Sequence, residues 1–385
     1  MTHWSPQRYR SLGQRRGIDP SVLENAVRTG NITCAANPHV PTLFSLKHLA
    51  YRSGVDYSLL RAIVERRDPE PYRTFKVRKR SSSPQHARYR VIAVPSPALM
   101  RVQKWIAQRI LAVAPAHSAS TAYGKNCNIS DAVLPHCSSR WLIKLDVRSF
   151  FESISESAAY GVFRKLGYQP LISFELARIC TRVYSKTRLR SYKYWDVEPA
   201  RWSAIPSYQY FRKGSLPQGA PTSPMLANLA VRQFDANITA IAEKYGLIYT
   251  RYADDLALST SGEFSRQKCH SVIQKVYGEM RAFGLSPNAT KTAISPPGAR
   301  KLLLGLLVDT DRPKLTREFR AKLRQHVFFL QSPKAGPVKH ARHLGFQSLI
   351  GFRHHIHGLV NYAYEIEPAF GERYKEALKA VEWPL

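Results

Sequence analysis

Acidic residues are scarce in this 385-residue chain: 27 Asp and Glu stand against 58 Lys and Arg, a formal net charge of +31. So one-sided a balance points to a polyanionic partner. Long apolar runs are missing as well. None approaches the roughly 20 residues needed to cross a bilayer, so a membrane is not the expected partner. The polar start, MTHWSPQRYRSLGQRR, has no apolar core of the kind a signal peptide needs, and a cytoplasmic protein is expected. Cysteine is sparse and unpatterned. Cys34, Cys127, Cys137, Cys180 and Cys269 form an odd, scattered set without a CxxC pair, which argues against a disulfide framework and against a zinc site. They read as ordinary thiols. Internal repeats and low-complexity blocks are also lacking, which removes solenoids from consideration.

What is present is enough apolar residue, 44% of the chain, to bury a substantial core arranged in two or three lobes. From Pro20 to Glu70 apolar residues recur at helical spacing, as in Leu46, Leu49 and Ala50, then Leu59, Leu60, Ile63 and Val64. The segment from Tyr72 to Arg90 holds seven Lys and Arg and no acid; two short extended runs flank its Ser/Pro centre, so a basic hairpin is expected, the alternative being a solvated charged loop. LMRVQKWIAQRILAVA then predicts a helix. In WLIKLDVRSFF, Leu142, Ile143, Leu145 and Val147 surround Asp146 in the near-continuous apolar pattern of a central strand. An isolated carboxylate there is costly unless paired, hydrogen-bonded or bound to metal. LIYTRYADDLALS repeats the pattern, interrupted by Asp254 and Asp255, whose repulsion a divalent cation would relieve. Helical spacing dominates again from Leu315 to Leu385.

Phosphoryl transfer to a nucleotide uses two divalent ions held by hard oxygen ligands. Asp146 on one strand with Asp254 and Asp255 on another could supply such ligands. In order along the chain, KLDVRSFFESI, KGSLPQGAPTSPMLANLA, YTRYADDLALS, GLSPNATKT and KLLLGLLVD resemble the successive motifs of the reverse transcriptase polymerase domain, over about residues 72–309. The nearer resemblance is to the bacterial retron and group-II-intron-like branch. It implies an α+β right-hand polymerase with fingers, an antiparallel-sheet palm and a helical thumb. The expected division is a helical N-terminal region (1–70), fingers (71–140), palm (141–312, with a basic aromatic insertion at about 184–213) and thumb (313–385).

The same resemblance implies roles. Asp146, Asp254 and Asp255 would bind two Mg2+ ions, for which Mn2+ could substitute, and Val147 would lend a backbone carbonyl. Phe151 would exclude the nucleotide 2′-hydroxyl; its other reading is a core aromatic. Tyr252 would support the primer end, and Gln218 with Gly219 would lie beside the templating pair. Lys291 is either a proton donor to the leaving pyrophosphate or a surface lysine. Lys79 and Arg90 would clamp the triphosphate through charge-assisted hydrogen bonds, with Arg78 and Arg80 as alternatives to Lys79. Expected partners are a noncoding RNA template and primer, an RNA–DNA hybrid or RNA-linked single-stranded DNA (msDNA) product, deoxynucleoside triphosphates and, in a retron, an effector protein.

Two departures from the retron pattern bear on the subfamily. Asp131, Ala132 and His136 preserve an Asn-Ala-x-x-His signature only at altered spacing, and Leu303, Leu304 and Gly305 stand where Val-Thr-Gly is expected. After the polymerase and thumb, little chain is left for a maturase, endonuclease, RNase H or integrase segment, which favours a retron enzyme acting in antiphage defence. The alternatives are another defence-associated or group-II-like reverse transcriptase with a different template, and a noncatalytic RNA-binding protein on a polymerase scaffold.

Overall fold

The computed structural model describes residues 4–67, 70–78, 89–124, 127–183 and 213–384. Lys79, Arg80 and nearly all of the 184–213 insertion lie outside them. In chain order the strands are β1 (Tyr72–Arg78), β2 (Tyr89–Pro95), β3 (Trp141–Arg148), β4 (Ile248–Tyr252), β5 (Asp255–Thr260), β6 (Ser286–Pro287), β7 (Ala293–Ser295), β8 (Leu302–Leu303), β9 (Leu306–Leu307) and β10 (Lys314–Leu315). Every ladder among them is antiparallel, and helices fill most of the remaining described chain, so the expected α+β class with an antiparallel sheet holds. The five cysteines are free, as expected. No helix of the described residues is long and apolar enough to cross a membrane.

Two compact units make up the chain, and neither is continuous in sequence. The first comprises Met1–Asn126, Val147–Ile238 and Lys275–Asn288. Its helices begin where the sequence supplies caps. Asp19, Ser45, Asp56 and Ser155 accept hydrogen bonds from the backbone N–H of Ser21, His48, Leu59 and Ala158, satisfying donors that have no partner within the helix. Leu49, Leu60 and Val64 are buried as the spacing predicts, whereas Leu59 is exposed. The basic hairpin forms with β1 and β2 in register from Tyr72↔Pro95 to Arg78↔Tyr89, and Arg90 on β2 is exposed.

The second unit comprises Cys127–Asp146, Thr239–Gln274 and Ala289–Leu385. Its strands run in the order β4–β5–β3–β7. Leu142, Lys144 and Asp146 share one face of β3 and Ile143 and Leu145 the other, because successive side chains alternate. Leu142 and Ala257 join a core completed by helices Arg317–Gln331, Gly336–His343, Leu349–Ile366 and Pro368–Lys379, through residues such as Leu323, Phe352, Ile356 and Leu378. The last two of these helices approach so closely that a Cβ on Gly371 would sit 2.2 Å from the Tyr364 backbone, a contact only glycine permits.

A buried histidine pair lies in this helical part. His326 Nδ1 and His340 Nε2 are 3.0 Å apart, so one ring donates to the other. Burial, reinforced by the charges of His340, Lys322 and His355, pushes His326 down to about 4, and burial with His343 also lowers His340. An unfolded histidine titrates near 6.5. Between those values the unfolded chain therefore binds protons that the folded one refuses, and stability is lost as pH falls from about 6.5 to about 4. Thermal melting at pH 7, 6 and 5 should show this loss, and His326→Phe should make it shallower; equal slopes would rule the pair out as its source.

Candidate active site

Strand pairing brings the acids together. Asp146 on β3 lies directly opposite Asp255 on β5, and Asp255 in turn pairs with Tyr252 on β4. Ala253 and Asp254 form the two-residue turn between β4 and β5. Only Ala253, the first turn residue, has a positive φ (57°), the II′ pattern whose twist suits a hairpin and in which glycine is usual. Arg251, fully buried, donates to the Ala253 carbonyl at 3.0 Å and braces this strained turn from within. The sequence reading passed over Arg251; an arginine inside an apolar strand pattern was the available signal.

His136 braces the same hairpin from outside the strands. Its Nδ1 is 2.7 Å from Ser259 Oγ and its Nε2 2.7 Å from Thr250 Oγ1, so one imidazole bridges β5 and β4. Burial pushes its pKa down to about 4 and keeps it neutral at physiological pH. The altered-spacing signature thus holds a buried strand clamp. Nearby, Asn128 caps its helix by accepting from the Asp131 N–H at 2.7 Å.

Carboxylates crowd the turn. Burial first, and then the charges of Asp254 and Asp146, raise Asp255 to about 6, although Lys291 and Lys144 act in the opposite direction. The Lys291 ammonium donates to Asp146 Oδ2. Burial alone would lower the Lys291 pKa, but that hydrogen bond and the charges of Asp146, Asp254 and Asp255 outweigh it and leave the pKa raised. Lys144 Nζ donates to the Leu302 carbonyl at 2.8 Å, fastening β3 to the start of β8. Such a cluster has more negative charge than its lysines neutralise and takes up a proton or a cation readily.

A cavity of about 570 Å³ opens on this cluster, lined by Asp146, Tyr252, Asp255 and Lys291 and also by Leu303–Gly305. KLLLGLLVD, whose apolar run reads as one strand leading to the thumb, forms a hairpin instead. Leu304 (φ 49°) and Gly305 (φ 85°) form a turn that folds it into the β8–β9 hairpin, because Gly305 admits the left-handed conformation that a I′ turn needs at both central residues.

The remaining expected residues belong to the first unit. Val147, which follows Asp146 in the chain, is buried and pairs with Pro287 of β6. Phe151 lies in the short helix Phe150–Ser153, half-buried, with its ring centroid 6.2 Å from that of Tyr123. Gln218 offers its carbonyl to the Ala93 N–H of β2 at 2.8 Å. Gly219 (φ 115°) packs so near β2 that a Cβ would lie 2.9 Å from the Ala93 carbonyl oxygen. Arg90 takes no part in this contact, and Lys79 lies outside the described residues.

Hard carboxylate oxygens, with one carboxyl raised to about 6 by burial first and by its acidic neighbours second, suit a divalent cation in chemistry and neighbourhood. As they stand, no group of three or more His, Cys, Asp or Glu among the described residues is gathered tightly enough to chelate an ion, and Lys291 occupies Asp146.

An antiparallel hairpin tipped with acids, set against a third acid on the adjoining strand, is the arrangement of a template-directed polymerase. Comparison with known proteins supplies the family. The profile described as "Reverse transcriptase (RNA-dependent DNA polymerase)" matches residues 77–346, and the chain belongs to this family, whose members generally use divalent metal ions. Among curated proteins, the retron Ec86 reverse transcriptase of Escherichia coli is 28% identical over 337 residues, covering 87% of this chain and 93% of the relative. The retron Ec83 reverse transcriptase of the same species is 27% identical over 316 residues, covering 81% and 88%. Among solved structures, a foamy viral protease-reverse transcriptase in complex with double-stranded DNA aligns with a TM-score of 0.41 at 14% identity, covering 89% of this chain and 45% of that one.

Proposed function

We propose that this chain is a retron reverse transcriptase, which copies part of a cognate noncoding RNA into RNA-linked single-stranded DNA in the cytoplasm, as one component of an antiphage system with an effector protein. The observation that carries the catalytic part is the register that sets Asp146 against Asp255 at the mouth of a cavity, with Asp254 in the adjoining turn. The retron part is supported by relatives of that name aligned over most of the chain.

In this reading Asp146, Asp254 and Asp255 hold two Mg2+ ions, aided by the Val147 carbonyl. The ions would supply Lewis-acid activation of the attacking hydroxyl and charge neutralisation on the phosphates. Lys291, whose ammonium donates to Asp146, protonates the leaving pyrophosphate in this reading. Tyr252, on the cavity wall, supports the primer end. Phe151 rejects a 2′-hydroxyl, Gln218 and Gly219 accompany the templating pair, and Lys79 and Arg90 bind the triphosphate. Residues 71–140, 141–312 and 313–385 serve as fingers, palm and thumb.

Sequencing the nucleic acid that copurifies with the protein tests the retron reading. RNA joined to a short single-stranded DNA is the expected result; RNA without attached DNA, or unbranched DNA, favours the group-II-like alternative. A second check is salt. With a net charge of +31, affinity for a primed RNA template should fall by about three orders of magnitude between 50 and 200 mM salt, as expected when roughly six or more phosphates are neutralised. A flat response would contradict a basic nucleic-acid surface.

A further inference from the structure

Tyr123 stands out in the first unit because it combines two unfavourable features. Its backbone has a φ of 66°, a region that bulky residues rarely occupy, and its side chain is 44% exposed. Neither helps folding. The conformation persists because it is held from behind: Asn228, fully buried, donates from Nδ2 to the carbonyl of buried Ala122 at 2.8 Å. Asn228 belongs to the helix Ser223–Ala230, which follows Gln218 and Gly219 in the chain. The ring that this arrangement presents lies 6.2 Å from Phe151, tilted by 46°. Phe151 has a similar mounting, since Ser149, the residue preceding its short helix, is also left-handed (φ 50°). Strained backbone maintained by surrounding structure is a mark of functional positions.

We propose that Tyr123 is a specificity-determining residue, which backs the ring of Phe151 so that the sugar of an incoming nucleotide meets a fixed wall, and that selection of deoxyribonucleoside over ribonucleoside triphosphates depends on both rings. The proposal rests on the reading of Phe151 as the group that rejects the 2′-hydroxyl. Phe150, with its ring centroid 5.7 Å from that of Phe151, is buried and packs on the same ring. Removing Tyr123 takes away one of these two ring contacts, and a Phe151 ring that can swing away accommodates the extra hydroxyl. Relative use of ribonucleotides should then rise, whatever the change in deoxynucleotide incorporation.

The test measures kcat/KM for a deoxynucleotide and for its ribonucleotide on a primed RNA template with Mg2+, in the wild type, Phe151→Ala, Tyr123→Gly and Tyr123→Phe. Glycine suits a φ of 66°, so Tyr123→Gly removes the ring while relieving the backbone, and thermal melting checks that the variant stays folded. Because both substrates are read on the same preparation, partial loss of active protein cancels from their ratio. Expected are a rise in relative ribonucleotide use of about a hundredfold for Phe151→Ala, on the scale of a lost steric contact. For Tyr123→Gly the rise should be about five- to tenfold, on the scale of a lost aromatic pair, and Tyr123→Phe should stay near the wild type. If Phe151→Ala shifts the ratio and Tyr123→Gly leaves it unchanged, the inference about Tyr123 is wrong and the reading of Phe151 survives. If neither shifts it, both fall together.

Discussion

Replacing Asp254 and Asp255 together by asparagine should reduce DNA synthesis on a primed RNA template by about a thousandfold or more, since the ligands of a catalytic ion contribute several kcal/mol to the transition state and each 1.4 kcal/mol is a factor of ten. The loss should occur without unfolding. Burial and the neighbouring acids raise the Asp255 carboxyl to about 6, which means that its charged form is disfavoured where it stands. Removing two of the three carboxylates relieves that repulsion, so the metal-free variant should melt at or above the wild-type temperature. Activity and stability are then expected to move in opposite directions, the signature of a site built against the preferences of the fold. A variant that is inactive because it is unfolded would lose both, and one that retains synthesis would remove these residues from the chemistry.

The largest expected effect on stability lies elsewhere, at Glu156. Its carboxylate is fully buried between Arg66 Nη2 at 2.6 Å and Arg178 Nε at 3.1 Å. It also accepts from Thr181 Oγ1 at 3.1 Å and from the Gly214 N–H at 2.9 Å. Burial alone would raise its pKa, yet the two guanidinium groups and the Gly214 N–H outweigh burial and hold it below the usual carboxylate range. Glu156→Gln leaves two guanidinium groups without their counterion, one of them on fully buried Arg178, and should cost about 3–5 kcal/mol in urea unfolding, a large share of the 5–15 kcal/mol typical of a domain. Replacing the triad at once with apolar residues of similar size, Arg66→Met, Glu156→Leu and Arg178→Met, should recover only part of that cost, because the Gly214 N–H and the Val64 carbonyl then lose their partners. A loss under about 1 kcal/mol for the single variant would mean that the charges are better hydrated than their burial indicates. The consequence reaches the LPQG segment. Gly214 and Leu216 also pair with Glu156 and Ile154 through backbone hydrogen bonds of 2.8 and 3.0 Å, so the triad fixes the stretch of chain that leads into Gln218 and Gly219.

Much of this architecture was legible in the sequence. The apolar runs around Asp146 and around the Asp254–Asp255 pair gave β3, β4 and β5, because a strand buried on both faces must be apolar on both. The basic hairpin was readable from alternation either side of a Ser/Pro centre. The caps Asp19, Ser45 and Asp56 were not singled out in the sequence, although an acid or serine just ahead of a helix-spaced run is the signal for them. What stayed hidden is mostly pairing at a distance. The bonds of Lys291 to Asp146, Lys144 to the Leu302 carbonyl and Arg66 to Glu156 span 145, 158 and 90 residues. Periodicity reports whether a position is buried and is silent about what it meets there. His136 shows the same limit: its signature was seen, but that it clamps Thr250 to Ser259 follows only from the folded strands. The β8–β9 hairpin was hidden for another reason. A leucine run reads as one strand unless the single Gly305 is given enough weight as a turn former.

Binding of Mn2+, followed by electron paramagnetic resonance on the protein with a primed RNA template and a non-hydrolysable deoxynucleotide, probes the acidic cluster directly. Two tightly held ions in the wild type, lost together in Asp254→Asn/Asp255→Asn, are the expected result. Equal Mn2+ binding in both proteins would contradict a metal site at Asp146, Asp254 and Asp255, and with it the proposed chemistry.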